Sequence, residues 1–507
     1  MSYSDTSASK LRSLLGSLIQ SQPLLIAVSV LFFLVNLLGR FPGEVGPDPE
    51  QYHQAVANRF DDWHPPIMAW LWSYFRLLAD GFGTMFTFHI VLYWFGFGII
   101  ALALARAGRF LTSWGVLCVS VFPLFLMVNI NVSKDVGMAV TFLAAFGVIF
   151  WFRIKDAKIP LLAGGIVAAL LFYGTLVRSN AVFAVVPLLA YFLYRRSFAS
   201  PWRLVVASVP IALLMIPAST AFNRNVLKAM ATNQISQLQV FDLTGIAYYS
   251  RDLSIFGPDN AFTDTEVQRC YSPILHDMLA PLQGGKCSFF WDRLVTPHRL
   301  EGHNEFEPRY AYKTPIDDDA LAKLWLTAIG EHPIAYLQHR LAHLNSELFF
   351  WVPGHHGDQR VIDALIQGKE ISASAPSTTK KMLDVLRYNV FTTPAFWLVV
   401  GGWLFIMLSS VRSPRDVWQR EAALALTISA LLYTSAYFII GIATDSRYTL
   451  WSLMATFVAV VISLPDLTAR FRSPGRLEWA CAGMLILTVV LITIARLVAG
   501  DALYPNT

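Results

Sequence analysis

Long apolar runs recur along this chain, near residues 17–38, 82–104, 111–130, 136–152, 159–177, 181–194, 203–221, 393–410, 421–442, 448–465 and 477–498. No other feature limits the fold so strongly. A helix of roughly 20 apolar residues crosses about 30 Å of hydrocarbon. The runs are continuous rather than alternating, which argues against a membrane β-barrel. The expected fold is therefore an all-α polytopic membrane protein with about 11 transmembrane helices. Composition agrees: 55% of the 507 residues are hydrophobic and 14% charged, where soluble domains carry about 25% charged residues. That balance argues against a soluble enzyme, a disordered chain and a nucleic-acid partner, although the net charge is +5.

Lys and Arg suggest the orientation, because they concentrate in cytoplasmic loops. With the N-terminus inside, Lys10 and Arg12 precede the first run, and Arg106 and Arg109 follow the second. Arg153, Lys155 and Lys158 follow the fourth, and Arg195, Arg196 and Arg203 the sixth. Arg412, Arg415 and Arg420 follow the eighth, and Arg470, Arg472 and Arg476 the tenth. Every second short loop is basic, as expected of a multi-pass protein of a bacterial inner membrane. The first run is read as a retained anchor, since no small-residue cleavage site follows it.

This topology divides the chain into an N-terminal membrane module (1–221), a subdomain on the periplasmic side (222–392) and C-terminal membrane helices (393–507). The subdomain is too long to be a connector and reads as mostly helices and loops. Asp317–Asp319 mark a helix start, where acids suit the dipole, and Pro333 opens a further helical stretch. His339 and His343 lie four apart, and His355 and His356 follow. They read as a solvated helix face rather than a metal pair. Cys270 and Cys287 both fall in this subdomain, and if its side of the membrane is oxidising they are expected to form a disulfide. Cys118 and Cys481 lie within apolar runs and read as packing residues.

The chemistry gathers in the loops of one membrane face. The first outer loop (39–81) holds Asp48 and Glu50, then Asp61, Asp62 and His64-Pro65-Pro66, where a short helix should begin. Asp61 and Asp62 are expected to cap that helix or face water. Trp63, Trp70 and Trp72 suit an interfacial belt. The next outer turn ends in Lys134-Asp135, a third carries Arg178, and the last carries Asp445 and Arg447. Charges beside hydrocarbon are costly and tend to be functional. Carboxylates with several cations can move a glycosyl group off a lipid phosphate. A carboxylate takes the acceptor proton, and arginine forks hold the departing phosphate. The blander reading of each group is turn chemistry, a local ion pair or snorkelling to headgroups. The sequence has no GxxxxGK[ST] phosphate loop, Rossmann fingerprint or GxSxG elbow.

Three motifs resemble the integral-membrane glycosyltransferases of the C-type fold (GT-C), in particular the superfamily of protein O-mannosyltransferases and the lipid A aminoarabinose transferase. They are Asp48-Pro49-Glu50-Gln51-Tyr52 after the first run, His64-Pro65-Pro66-Ile67-Met68-Ala69-Trp70, and Lys134-Asp135. The resemblance spans residues 40–180; beyond it rests on span count and the large insertion. It implies a polyprenyl-phosphate-linked sugar donor, an inverting displacement, Asp48 as the base, and a substrate or metal-assisting role for Asp135. The family places Asp and Glu side by side, whereas Pro49 separates them here. Glu50, Tyr52, His64, Lys134, Arg178 and Arg447 are the candidate substrate and phosphate contacts. Some members use a divalent cation such as Mg or Mn and others do not, so a cofactor stays open. The acceptor is a lipid-linked glycan, a lipid or a protein. A flippase or transporter of lipid-linked sugars, a non-catalytic assembly protein and a surface-polysaccharide ligase or polymerase stand as alternatives.

Overall fold

Each apolar run folds into helix. In a computed structural model these are α1 (Gln22–Arg40), α4 (Gly83–Arg106), α5 (Phe110–Ser120), α7 (Lys134–Arg153), α8 (Leu161–Val177), α9 (Ala181–Leu193), α10 (Pro201–Asn225), α16 (Pro394–Ser409), α17 (Val417–Ile440), α18 (Leu450–Phe471) and α19 (Arg476–Val498). The structure describes residues 19–45, 50–257, 262–274, 279, 287, 289–294, 296–299, 310–313, 318–352, 389–410, 417–472 and 474–498. Seven of the described helices are long and apolar enough to cross a membrane, and four shorter apolar helices of 10–17 residues accompany them. The chain is an all-α membrane protein. Sheet among the described residues is confined to two two-stranded pairs.

Local sequence sets the helix ends. Ser21 caps α1 by accepting from Leu24 N at 3.3 Å, and Ser133 caps α7 by accepting from Val136 N at 3.4 Å. Arg40, Arg106 and Arg153 close α1, α4 and α7, where a cation suits the negative end of the dipole. The run expected as one span over 111–130 is broken. Proline cannot donate within a helix, so α5 stops at Ser120 and a short α6 (Pro123–Val128) starts afresh.

Helix α7 is the axis of the bundle; every residue from Asp135 to Phe150 is buried. Glycines let its neighbours close on it. A methyl group on Gly147 would lie 2.5 Å from Ile99 Cγ2, and one on Gly96 2.8 Å from Leu143 Cγ. Small residues at such contacts are how helices pack where lipid removes the hydrophobic drive between them. The helices on either side of the insertion share this core, which runs from Leu25 to Leu227 and again from Trp397 to Cys481. Trp72 belongs to it: only 1% exposed, its Nε1 donates to Gly81 O at 3.2 Å, so it is a core residue and no part of an interfacial belt.

The inserted subdomain has its own core, built by α11 (Ile235–Ser250), α12 (Asp264–Cys270), α13 (Phe289–Leu294), α14 (Asp318–Glu331) and α15 (Pro333–Glu347). An antiparallel pair, Thr296–Arg299 with Tyr310–Lys313, adds strand to what the sequence suggests is helix and loop. Cys270 and Cys287 are bonded to each other. Trp63 of the first loop packs against this core.

Candidate active site at the subdomain end of the bundle

Asp135 sits in the first turn of α7, 1% exposed, where the helix dipole favours a carboxylate. Two arginines from distant loops close on it. Arg178 ends α8, and its Nη1 pairs with Asp135 Oδ1. Arg447 lies in the turn before α18, its Nε 3.6 Å from Asp135 Oδ2 and 2.8 Å from Asp445 Oδ2. Asp445 also accepts from Arg447 N at 3.0 Å, so one aspartate fixes both the backbone and the side chain of that arginine. Arg178 is held from three further directions. Its Nε donates to Asn180 Oδ1 at 3.1 Å, its Nη2 donates to Tyr437 Oη at 3.0 Å, and its guanidinium lies 4.3 Å from the Tyr448 ring centre. Arg447 lies 5.1 Å from the same ring. Tyr437 and Tyr448 stack with their planes 11° apart.

A second chain of polar groups adjoins the first. Lys134 Nζ lies 2.7 Å from His64 Nδ1. An ammonium has only donors, so the imidazole Nδ1 accepts and Nε2 carries the hydrogen. That Nε2 faces Glu50 Oε2 at 3.8 Å. Glu50 opens α2 (Glu50–Ala57), and the His-Pro-Pro turn leads into α3 (Ile67–Phe75) as expected. Tyr52 turns to the aromatic core, its ring centre 4.6 Å from that of Phe82 and 5.3 Å from that of Trp72. A parallel pair, β1 (Glu44–Val45) with β2 (Asn131–Val132), ties the strand before Asp48 to the turn before Lys134. Asp48 itself lies outside the described residues. Glu50, His64, Lys134, Asp135, Arg178 and Arg447 are thus gathered at one end of the bundle.

Asp61 and Asp62 do not face water; they are 6% and 5% exposed. Asp61 accepts from Gln54 Nε2 at 2.9 Å and from Trp63 N at 3.1 Å. Asp62 accepts from Arg224 Nε at 2.9 Å and from Thr232 Oγ1 at 2.8 Å, which fastens the first loop to the base of the subdomain. Asp62 is buried at a loop junction because Arg224, in the last turn of α10, and the Thr232 hydroxyl beyond it meet the carboxylate.

His339 and His343 also differ from expectation. Neither is on a solvated face; both are wholly buried. His339 Nε2 donates to Asp242 Oδ1 at 3.1 Å, and Tyr271 Oη lies 3.0 Å from His339 Nδ1. Asp242 also pairs with Arg340 and accepts from Trp325 Nε1 at 2.8 Å. Burial alone would raise the Asp242 pKa, but Arg340 and His339 outweigh it and hold the carboxyl below its ordinary range. Burial pushes His339 down, and pushes His343 down to about 3 with help from the Arg340 charge. Both imidazoles are neutral, and His343 Nδ1 donates to Pro273 O at 2.7 Å. The amphipathic pattern of α15 concealed this node; the charge of Asp242 in an otherwise weakly polar α11 was its only signal.

Asp135 is paired with two guanidinium groups and serves to aim the arginines. Among the described residues no group of three His, Cys, Asp or Glu side chains is placed to hold a metal ion. Two guanidinium forks and an ammonium at one rim can bind a phosphate. Tyr437, Tyr448 and Asn180 frame those forks and were not singled out by the sequence; Tyr433 and Tyr437, one turn apart at the end of an apolar run, were the available clue. Comparison with protein-family models finds no matching family, and neither the curated proteins nor the solved structures yield a match to this chain.

Proposed function

We propose that this chain is a glycosyltransferase of the GT-C type that moves a sugar from a polyprenyl-phosphate carrier to a lipid-linked glycan, lipid or protein. In this reading the seven long apolar helices, three of the shorter ones and the broken pair α5–α6 make eleven crossings of the inner membrane. The N-terminus is cytoplasmic and the charged rim periplasmic, on the positive-inside pattern of the loops. One observation carries the reading: residues from five separate segments, at 50, 64, 134–135, 178 and 445–447, converge where a lipid phosphate at the bilayer surface would meet them.

Chemically, the acceptor hydroxyl loses its proton to the Asp48 carboxylate as its oxygen bonds to the anomeric carbon. The bond from that carbon to the phosphate oxygen breaks, and its electron pair stays on the phosphate. Arg178, Arg447 and Lys134 stabilise the charge that develops there. Displacement from the opposite face inverts the anomeric centre. The test is mass spectrometry of cell-envelope glycans from cells with and without the gene. The expected result is loss of one sugar mass, restored by the wild type and not by Asp48→Asn. Restoration by Asp48→Asn would remove the base assignment. A change in polymer length instead of one sugar would favour a ligase or polymerase. Lipid movement across vesicles without any bond formed would favour a flippase.

A further inference from the structure

The two arginines at the rim belong to the membrane bundle, yet the segment that carries one of them is held by the subdomain. Arg340 lies on α15, 0% exposed, and pairs with Asp242. Its Nη1 reaches out of the subdomain core and donates to Gly441 O at 2.6 Å. Gly441 ends α17; its N donates to Tyr437 O at 3.0 Å, and Tyr437 is the hydroxyl that receives Arg178. Beyond it, Thr444 N donates to Ile274 O of the subdomain at 2.9 Å. The turn bearing Asp445, Arg447 and Tyr448 is therefore pinned twice before it reaches the site. The join is close. A methyl group at Gly441 would come within 2.5 Å of His343 Nε2 and 2.6 Å of Tyr437 O, so only glycine fits.

We infer that Arg340 is a positioning residue for the phosphate grip: through the Gly441 carbonyl it sets the end of α17 and the turn after it, and so places Tyr437, Arg178 and Arg447 on a lipid phosphate. The inference rests on the proposed function. Lysine in place of Arg340 keeps the charge but has no fork to serve Asp242 and Gly441 O together. A shift of about 1 Å in a binding group can cost on the order of a hundredfold.

The experiment measures binding of a polyisoprenyl phosphate to the full-length protein in nanodiscs, using only variants that run as a single folded species. Arg178→Gln and Arg447→Gln test the underlying reading; both should weaken binding, and wild-type affinity in both would end that reading. Given that loss, Arg340→Lys should weaken binding at least about tenfold. In the Arg178→Gln, Arg447→Gln double background it should add nothing, because no guanidinium is left for it to place. Independent losses that multiply would mark Arg340 as a merely structural residue and overturn the inference. Wild-type affinity of Arg340→Lys would overturn it too. If Arg340→Lys does not fold, the double change Asp242→Asn, Arg340→Met, which leaves no buried charge unpaired, carries the same test with the same expected loss and the same non-additivity.

Discussion

Two buried aspartates define this molecule, and they are built differently. Asp242 lies inside the subdomain, and it and both its ionic partners are 0% exposed. One arginine, one neutral histidine and one indole satisfy it. Asp135 lies at the mouth of the bundle, and its two arginines keep 11% and 10% of their side chains accessible. The polar chain beside it opens further, to 22% at His64 and 33% at Glu50. A sealed ion pair is evidence of a lock. A pair of the same chemistry whose arginines keep about a tenth of their side chains accessible is, under the proposed function, where a lipid phosphate would bind. Burial of the carboxylate alone does not separate the two; access to its partners does.

The sharpest way to break this contrast is to neutralise each aspartate. Asp242→Asn should cost about 3–5 kcal/mol of stability, because Arg340 is left buried without its counter-charge, as denaturant titration of the purified protein would show. Asp135→Asn should leave the protein folded while lowering sugar transfer in cells by about 10²-fold, the effect of misplacing both arginines. If Asp135→Asn destabilised as much as Asp242→Asn and left transfer intact, the two clusters would be of one kind.

Acid should act on the lock through its histidines. Above the ordinary value near 6.5 each imidazole is neutral folded and unfolded, and its contribution is fully present. Below it the unfolded chain takes up a proton that buried His343 refuses until about 3. Stability therefore falls as pH drops through that window, by about 1.4 kcal/mol per unit for each such group. His343→Gln keeps an N–H for Pro273 O and removes the titration, so it should flatten the slope between pH 6 and pH 4 by about that amount. An unchanged slope would place the acid sensitivity elsewhere. Arg447→Gln should weaken polyisoprenyl phosphate binding about tenfold, the worth of one charged hydrogen bond, with little change in the denaturation midpoint. The smallest expected effect is at Cys118, exposed on the flank of the bundle. Cys118→Ser should move stability by no more than about 0.5 kcal/mol.

The membrane architecture was legible because hydrocarbon forces long apolar runs, and all of them proved helical. Lys134, Asp135, Arg178 and Arg447 were legible for the same reason: a charge abutting such a run stands out. Pro123 breaks the 111–130 run, so two helices form where the length of the run alone predicts one span. The Asp242 node was illegible because charges on amphipathic helices normally face water. Only the packing of α11 against α15 turns His339, Arg340 and His343 inward. The aromatic frame of Tyr437 and Tyr448 was hidden because phenols at the end of a span serve equally as headgroup anchors.

Asp135 and Arg447 lie 312 positions apart in the sequence. While the ribosome is still making the inserted subdomain, Asp135 has no Arg447 to meet, and α7 lacks the C-terminal helices that complete its burial. The Asp135–Arg447 pair can therefore form only once residue 447 has been synthesised, and a chain truncated before that position lacks it.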